Sequence, residues 1–216
     1  MECIQGKRSL QIDHAELDRR LSGYKAVHID IGTGDGRFAM ALAKRHPAMF
    51  VVGLDACRDP LRQAARRAPD NLVFVAANIA ALPEDLAGRA DRLSINFPWG
   101  SLLKSLVCDD PAVMEGLLGL GRAGTQLELL VNGEALATLG SSVQDGGDRI
   151  RRNFSQRGLT VSPPRILDKA ALRAVPTTWA QRLAFGRDPR ALYCAVAWPQ
   201  PAAHASQRWL ERSCAG

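Results

Sequence analysis

The sequence lacks an apolar run of the roughly 18 residues that a membrane helix requires. The N-terminal segment MECIQGKRSL has no hydrophobic region of the kind that signal peptides contain, so we expect a cytoplasmic protein that does not bind a membrane. The five cysteines are widely spaced, no CxxC pair occurs, and the four histidines lie away from them in the sequence. We therefore expect reduced thiols and no metal site.

Aromatic residues and lysine are both scarce. Aromatic residues make up 6% of the 216-residue chain, and most of its positive charge comes from arginine. Lys+Arg number 28 against 22 Asp+Glu, a formal net charge of +6 that favours a polyanionic partner. The hydrophobic share of 46% is ordinary for a globular protein and excludes a disordered chain or a collagen-like repeat.

Strand-like and helix-like segments alternate through the middle of the chain. Buried-strand patterns occupy 26–31, 50–54, 72–76, 92–97 and 125–131, and helical patterns occupy 38–46, 60–68 and 111–120. This alternation predicts βαβ units, and hence an α/β fold in which helices cover both faces of a mostly parallel sheet. We expect one domain over 1–216, with an N-terminal extension at 1–24, a core at 25–198 and a peripheral tail at 199–216.

The regular alternation stops after the fifth strand pattern. Residues 132–190 contain one further strand pattern, at 159–166, in Gly-, Asp- and Arg-rich surroundings, and a last strand is expected at 192–197. Irregular segments near the C-terminal ends of strands often form a substrate site, so we expect substrate-binding inserts around 132–190. The tail offers one helical turn, at 207–212.

A glycine-rich loop follows the first core strand and reads DIGTGDG at 30–36. Asp55 ends the next strand, where a carboxylate can accept both ribose hydroxyls of a nucleoside. Asp30 and Asp35 would repel a pyrophosphate but suit a ligand with a cationic amino-acid end. The arrangement resembles the class I S-adenosylmethionine-dependent methyltransferases. A glycine turn in a non-binding domain and a dinucleotide site are the alternatives.

Two tryptophans lie in motifs that make the resemblance more specific. Trp99 follows the fourth core strand in NFPWGSLL at 96–103, and Trp179 lies in PTTWAQRL at 176–183. With the glycine loop, LDA at 54–56 and GKR at 6–8, these motifs resemble the 16S ribosomal RNA (adenine-N1) methyltransferases that give aminoglycoside resistance. The resemblance runs from about residue 6 to 197. Taken alone, either tryptophan also fits a core residue under a loop.

The resemblance implies a Rossmann-like fold with a mostly seven-stranded sheet and a reaction on the 30S subunit. The enzyme would transfer the methyl group of S-adenosylmethionine to N1 of an adenine in the decoding-site helix. Nothing in the sequence indicates oligomerisation, so we expect a monomer. Trp99 and Trp179 would stack on the flipped adenine, and we assign no general base. The implied cofactor-binding residues are Asp30, Gly32, Thr33, Gly34, Gly36, Asp55, Asn78, Ile79, Ala80, Asn96, Phe97, Pro98, Trp99, Gly100, Ser101, Thr177, Thr178 and Trp179.

One position departs from the family pattern. The family often carries an acidic side chain shortly before the Leu-Pro that follows the third core strand, and Ala80 stands there in this chain. We therefore expect backbone groups or Asn78 to hold the adenine of the cofactor.

Arginines would build the surface for RNA, because phosphate contacts position a protein on folded RNA. Arg58, Arg62, Arg66 and Arg67 are expected on one stripe of the helix after the second core strand, and others flank Trp179. A solvated basic face is the alternative for each cluster. The candidate RNA-binding residues are Lys7, Arg8, Arg58, Arg62, Arg66, Arg67, Arg151, Arg152, Arg182, Arg187 and Arg190.

Two other functions fit parts of the sequence. A tRNA (guanine-N7) methyltransferase has a similar glycine loop and an Asn-Phe-Pro after the fourth strand, but it continues differently from Trp99-Gly100-Ser101. A non-catalytic, methyltransferase-like RNA-binding protein would have no need of the intact cofactor motif at 30–36.

Overall fold

The structure is a computed structural model that describes residues 1–6, 8–186 and 190–200. The helical turn expected at 207–212 and the RNA contacts expected of Lys7 and Arg187 lie outside the described residues.

The sheet is built from strands near both ends of the sequence as well as from its middle, and they are numbered here in chain order. They are β1 (Glu2–Gln5), β2 (Arg8–Gln11), β3 (Ala26–Ile31), β4 (Met49–Asp55), β5 (Leu72–Ala76), β6 (Ala90–Asn96), β7 (Gly121–Asn132), β8 (Thr160–Val161), β9 (Arg165–Ile166) and β10 (Ala191–Ala197). They form one sheet in the order β2-β1-β5-β4-β3-β6-β7-β10-β8, and β9 pairs with β10.

Helices connect these strands. They are α1 (His14–Leu21), α2 (Arg37–Arg45), α3 (Arg58–Ala65), α4 (Gly100–Cys108), α5 (Pro111–Leu120), α6 (Gly133–Thr138), α7 (Val143–Ser155), α8 (Lys169–Ala174) and α9 (Thr178–Phe185). Two single 3-10 turns, Ile79–Ala81 and Glu84–Leu86, follow β5.

The central five strands, β5-β4-β3-β6-β7, are parallel to one another, which confirms the α/β fold that the alternation predicts. Within the described residues the sheet has ten strands rather than mostly seven. The hairpin of β1 and β2 adds two antiparallel strands beyond β5, within the segment that the sequence marks only as an extension. The last long strand, β10, runs antiparallel beside β7.

The single strand predicted at 159–166 is wrong. Two short strands occupy this segment, and both pair with β10, through Val161 opposite Val196 and Ile166 opposite Leu192. Pro163 and Pro164 separate them. Proline has no backbone N–H to donate, so the ladder is interrupted there.

The segment 132–190 is largely helical, which the sequence reading missed. Its longest helix, α7, contains adjacent glycines that weaken the helical pattern. These glycines are needed for packing, because a Cβ on Gly146 would lie 2.5 Å from Leu136 and one on Gly147 would lie 3.1 Å from Leu192. Helix α4 was also missed, and the helix predicted at 60–68 lies instead at 58–65.

Helix α5 packs directly on the 3-10 turn after β5, and this packing generates a prediction. A Cβ on Gly116 would lie 1.9 Å from the carbonyl oxygen of Ile79. We expect Gly116→Ala to lower the free energy of unfolding by about 1–3 kcal/mol, because the backbone must shift to relieve the clash. Chemical denaturation measures this change.

Gly119, in the same helix, is the matched control. A Cβ there would meet nothing within 4 Å, so Gly119→Ala should leave stability unchanged or raise it by up to about 1 kcal/mol. Equal effects of the two substitutions would contradict the close packing of α5 on the turn.

Candidate cofactor and base site

A cavity of about 710 Å³ lies at the C-terminal ends of the parallel strands. Open α/β sheets bind ligands at this edge, and the volume is in the range of small-molecule sites. The glycine loop after β3, Asp55 at the end of β4, the turn after β5 and the segment after β6 all line it, together with residues 177–179. Five separate segments of the chain therefore converge on one cavity.

Most of the candidate cofactor residues line this cavity. The lining set contains Asp30, Gly32, Thr33, Gly34, Asp55, Asn78, Ile79, Ala80, Asn96, Phe97, Pro98, Trp99, Ser101, Thr177, Thr178 and Trp179. Gly36 and Gly100 are not in it. Gly36 caps the start of α2 with φ 70°, where a Cβ would lie 2.7 Å from the Phe74 ring, and Gly100 begins α4 with φ 57°. Their roles in this structure are conformational.

The sequence reading missed part of the lining. The additional residues are Ile31, Asp35, Phe38, Leu54, Ala56, Cys57, Ala77, Leu102, Ser105, Asp110 and Val113. Several adjoin recognised motifs and could have been included with them. Ser105, Asp110 and Val113 carry no motif, and only the packing of α4 and α5 brings them to the cavity.

Hydrogen bonds fix the glycine loop against β4. The N–H groups of Gly32 and Thr33 both donate to the carbonyl oxygen of Leu54, at 2.8 and 3.0 Å. The Gly34 N–H donates to Asp55 Oδ2 at 2.9 Å, and the Cys57 N–H donates to Asp55 Oδ1 at 2.8 Å. The loop and the carboxylate at the end of β4 are thus held in one arrangement.

Asp30 is the buried acid beneath the loop, with 1% of its surface exposed. Its carboxylate accepts hydrogen bonds from Thr33 Oγ1 at 2.6 Å, Ser94 Oγ at 2.7 Å and Asn96 Nδ2 at 3.0 Å. Burial raises the pKa of Asp30 to about 6, and the three hydrogen bonds oppose that rise.

His28 completes this network, and the sequence reading missed it. His28 Nε2 lies 2.9 Å from Ser94 Oγ, inside β3 and β6. Because Ser94 gives its only proton to Asp30, its oxygen must accept from His28, which assigns the neutral Nε2–H tautomer. Burial lowers the pKa of His28 to about 3, which agrees with a neutral ring. Polar residues within two otherwise apolar strands were the available signal.

The segment after β6 is strained at Phe97. This residue has φ 55°, a left-handed conformation that a bulky side chain rarely adopts. Its N–H donates to the Leu130 carbonyl oxygen at 2.8 Å, and its ring is buried in a small cluster with Leu172 and Leu183. Backbone strain of this kind persists where the surroundings hold it, and it recurs at functional sites.

The two tryptophans meet at the cavity. Their ring centroids are 5.2 Å apart with an interplanar angle of 30°, which is the distance of a single aromatic contact. Thr177 caps α9 through its bond from the Ala180 N–H at 2.9 Å, and Thr178 Oγ1 donates to Asp35 Oδ2 at 2.6 Å. The segment that carries Trp179 is therefore tied to the glycine loop.

The basic residues fall into different surroundings. Arg58 pairs with Glu2 at 2.8 Å and Arg62 with Asp59 at 3.3 Å, so half of the expected helical stripe is engaged in ion pairs. The stripe itself is wrong as predicted, because α3 ends at Ala65 and the other two arginines follow it. The remaining candidates are exposed on several elements: Arg8 on β2, Arg151 and Arg152 on α7, Arg182 on α9, and Arg190 before β10.

Arg66 and Arg67 line a groove between α2 and α3, which also contains Arg37 and Lys44. Asp35 lines both this groove and the cavity, so the two depressions are neighbours. Arg182 lies elsewhere, with its guanidinium carbon 5.2 Å from the ring centroid of Trp179.

Among the described residues, no cluster of three His, Cys, Asp or Glu side chains could hold a metal ion. No helix in the described part of the chain has the length and apolar character needed to span a membrane.

Comparison with known proteins decides the family. The family model described as NpmA: 16S rRNA (adenine(1408)-N(1))-methyltransferase matches residues 2–197. This chain belongs to that family. It is an S-adenosylmethionine-dependent methyltransferase, and the match over 2–197 decides against the tRNA (guanine-N7) and non-catalytic alternatives.

Individual relatives agree over nearly the whole chain. A 16S rRNA (adenine(1408)-N(1))-methyltransferase of Streptoalloteichus hindustanus is 29% identical over 207 residues, covering 87% of this chain and 94% of that protein. The crystal structure of the 16S rRNA methyltransferase KamB superposes with a TM-score of 0.82 at 26% identity, over 93% of this chain and 100% of KamB.

A third relative has its cosubstrate bound. The W203A mutant of the enzyme from Catenulisporales acidiphilia, solved with S-adenosylmethionine, gives a TM-score of 0.78 at 26% identity and covers 94% of this chain and 99% of that one. The cavity of the present protein fits such a ligand, since carboxylates at the glycine loop and at the end of β4 can meet its polar groups.

The buried histidine gives a prediction about pH. The folded pKa of His28, about 3, is below the usual histidine pKa of 6.5, so below pH 6.5 the unfolded chain binds a proton that the folded chain does not. The stability that His28 contributes is therefore complete above pH 6.5 and is lost as the pH falls toward 3. Between pH 7 and 4.5 we expect the wild type to lose about 2 kcal/mol more than His28→Gln.

Urea denaturation at the two pH values measures this difference. Asp30 is present in both proteins, so its own titration largely cancels. Parallel losses of stability in the two proteins would contradict a buried, neutral His28.

Proposed function

We propose that this protein transfers the methyl group of S-adenosylmethionine to N1 of an adenine in the decoding-site helix of 16S rRNA, within the 30S subunit, and so gives aminoglycoside resistance. The observation that carries the proposal is the pair of indoles, Trp99 and Trp179, which contact each other and line the cofactor cavity. We further propose that the enzyme acts as a cytoplasmic monomer.

The reaction explains why the site holds aromatic rings rather than a base. Adenine N1 already has a lone pair in the plane of the ring, so attack on a methyl group needs alignment and no deprotonation. Holding the two reactants in line can lower a barrier by several kcal/mol. The bound cofactor supplies an electrophilic methyl group on sulfur, and the protein supplies the alignment.

N1 lies on the Watson–Crick edge, so the target base must leave its stack before it can react. Stacking on an aromatic side chain returns about 1–3 kcal/mol per base. The N1-methylated product carries a positive charge, which an indole face also stabilises. Trp99 and Trp179 are suited to both tasks.

The two indoles must separate to hold a base between them. A ring between two others needs roughly 7 Å from plane to plane, since carbon atoms in contact are about 3.5 Å apart. The present centroid distance is 5.2 Å, so an opening of about 2 Å is needed. In this proposal Trp179 moves together with α9. The hydrogen bond from Thr178 to Asp35 holds α9 in the position in which the two indoles are in contact.

We assign the cofactor-binding role to the residues that line the cavity. Asp55 is placed to accept the ribose hydroxyls, as its position at the end of β4 suggests. The amino-acid end of the cofactor would lie beside Asp30 and Asp35 at the glycine loop, where a positive charge is favoured.

Primer extension on 30S subunits tests the function directly. Subunits are incubated with the enzyme and S-adenosylmethionine, and methylation at N1 then stops reverse transcriptase at the modified adenine. We expect one strong stop in the decoding-site helix, and no stop when the cofactor is left out. A stop elsewhere, or none, would overturn the proposed substrate.

The indole pair predicts a specific pattern of variants. Trp99→Ala and Trp179→Ala should each lower methyl transfer by roughly 10- to 100-fold, from a stacking loss of about 1–3 kcal/mol. Trp→Phe should lower it less, because a smaller ring still stacks. Affinity for the 30S subunit should change little, since phosphate contacts dominate docking.

A melting scan of the same variants provides the control. Both tryptophans are only half-buried, so the melting temperature should stay near that of the wild type. A large drop in melting temperature would mean that they are core residues, which lose about 3–5 kcal/mol on truncation to alanine.

The groove between α2 and α3 is the basic surface that we assign to RNA. Many arginines on the described surface are engaged in ion pairs, among them Arg58, Arg89, Arg122 and Arg157. Lys44, Arg66 and Arg67 are exposed, and no acidic partner within 4 Å is found for them among the described residues. Phosphate contacts favour such cations, because no existing pair has to be broken.

Charge reversal in this groove should weaken binding to the 30S subunit. Lys44→Glu, Arg66→Glu and Arg67→Glu should each lower the affinity and reduce the slope of log affinity against log salt by about one. Calorimetry with cofactor should show no change, because these side chains do not line the cavity.

Arg122 is the matched control for this series. It is exposed at the start of β7, the opposite edge of the sheet from the cavity, and it pairs with Asp91. Arg122→Glu should leave the salt slope as it is. An equal change for the control and the groove variants would mean that only net charge matters.

A further inference from the structure

We infer that Asp110 accepts a hydrogen bond from the 6-amino group of the cofactor adenine, in place of the acidic side chain that this chain lacks at position 80. The inference rests on the cofactor placement proposed above. It names a residue that neither a motif nor the resemblance indicates.

The order of the strands locates the adenine end of the cavity. β3 carries the glycine loop, β4 beside it carries Asp55, and β5 follows on the far side of β4. A nucleoside whose ribose is held at Asp55, with its amino-acid end at the loop, extends its base toward the turn after β5. Residues 77–80 of that turn line the cavity.

The turn itself offers little to a 6-amino group. Ala80 presents only a methyl group. The Asn78 side-chain oxygen already accepts from the Ala80 N–H at 3.0 Å, and the Asn78 carbonyl oxygen accepts from the Ala81 N–H at 2.9 Å. Both oxygens of Asn78 are therefore engaged in shaping the turn.

Helix α5 brings a carboxylate to the same place. It packs on the turn so closely that Gly116 has no room for a side chain. At the start of this helix, Asp110 and Val113 both line the cavity, as do residues 77–80 of the turn. A carboxylate beside an apolar side chain at this end matches an adenine ring with one amino donor.

The Asp110 carboxylate keeps free acceptor positions. Oδ1 accepts from the Val113 N–H at 3.2 Å, and Oδ2 has a long contact of 3.4 Å with Ser105 Oγ. A carboxylate has about four lone-pair positions, so two remain. The residue is also exposed, so it needs no rearrangement to meet a ligand.

The other carboxylates of the cavity are occupied elsewhere. Asp30 accepts three hydrogen bonds beneath the loop, and Asp35 accepts from Thr178. Asp55 accepts from the N–H groups of Gly34 and Cys57 at the ribose end. Asp110 is the acidic side chain that remains for the adenine end.

Calorimetry on the full chain tests the assignment with two ligands. One is S-adenosylhomocysteine, and the other is its analogue with hydrogen in place of the 6-amino group. The variant is Asp110→Ser, because serine caps a helix as well as aspartate does but carries no carboxylate. We expect the wild type to bind the amino-bearing ligand roughly 10-fold more tightly or better, because a hydrogen bond to a charged group contributes at least that much to affinity.

In Asp110→Ser this preference should fall to a few-fold or less, through weaker binding of S-adenosylhomocysteine with little change for the analogue. Adding Ala80→Asp to Asp110→Ser should restore part of the preference. Equal weakening of both ligands, or no weakening of either, would overturn the inference.

Asp109→Asn is the control, since Asp109 is adjacent, pairs with Arg157 at 2.5 Å and does not line the cavity. Its ligand preference should match that of the wild type, and a loss there as large as in Asp110→Ser would overturn the inference. No ribosome is used in these titrations, so a failure of the proposed RNA substrate would leave the ligand preference intact.

Discussion

The buried carboxylate of Asp30 is the constraint on which the site depends. A charged or protonatable group with 1% exposure must have hydrogen-bond donors around it, and here they come from two different elements. Thr33 lies in the glycine loop, whereas Ser94 and Asn96 lie on β6. The loop that faces the cofactor and the strand that leads to Trp99 are therefore fixed relative to each other by one group. His28 extends the network through Ser94 and holds the Ser94 hydroxyl in the orientation in which it donates to Asp30.

Much of this fold could be predicted because its central strands carry strong local signals. The segment at 26–31 is buried and apolar and ends in glycines, and it forms β3 with the same bounds. The tryptophan motifs likewise identified the two rings that meet at the cavity. Each of these signals lies within a few consecutive residues. Such local signals can be recognised without knowledge of what packs against these residues.

The missed features depend on contacts between distant segments. The glycines of α7 look like helix breakers until Leu136 and Leu192 are seen against them. Nothing near Asp110 in the sequence suggests a ligand, and its position follows from the packing of α5 on the turn after β5. The ion pair of Arg58 is similar, since its partner Glu2 lies 56 residues away. Helical spacing alone could not separate Arg58 from Arg66 and Arg67.

The two indoles belong to different parts of the hydrophobic interior. Trp99 packs against the main core beneath the sheet edge, whereas Trp179 packs in the smaller cluster formed by α8, α9 and their neighbours. Phe97 joins the two, because its ring lies in the smaller cluster while its backbone leads directly to Trp99. A reaction that relies on alignment needs one rigid face, and it also needs a second face that can withdraw to admit the base. In the mechanism proposed above, the main core would supply the first and the smaller cluster the second, and the strained backbone at Phe97 would lie between the fixed and the movable part.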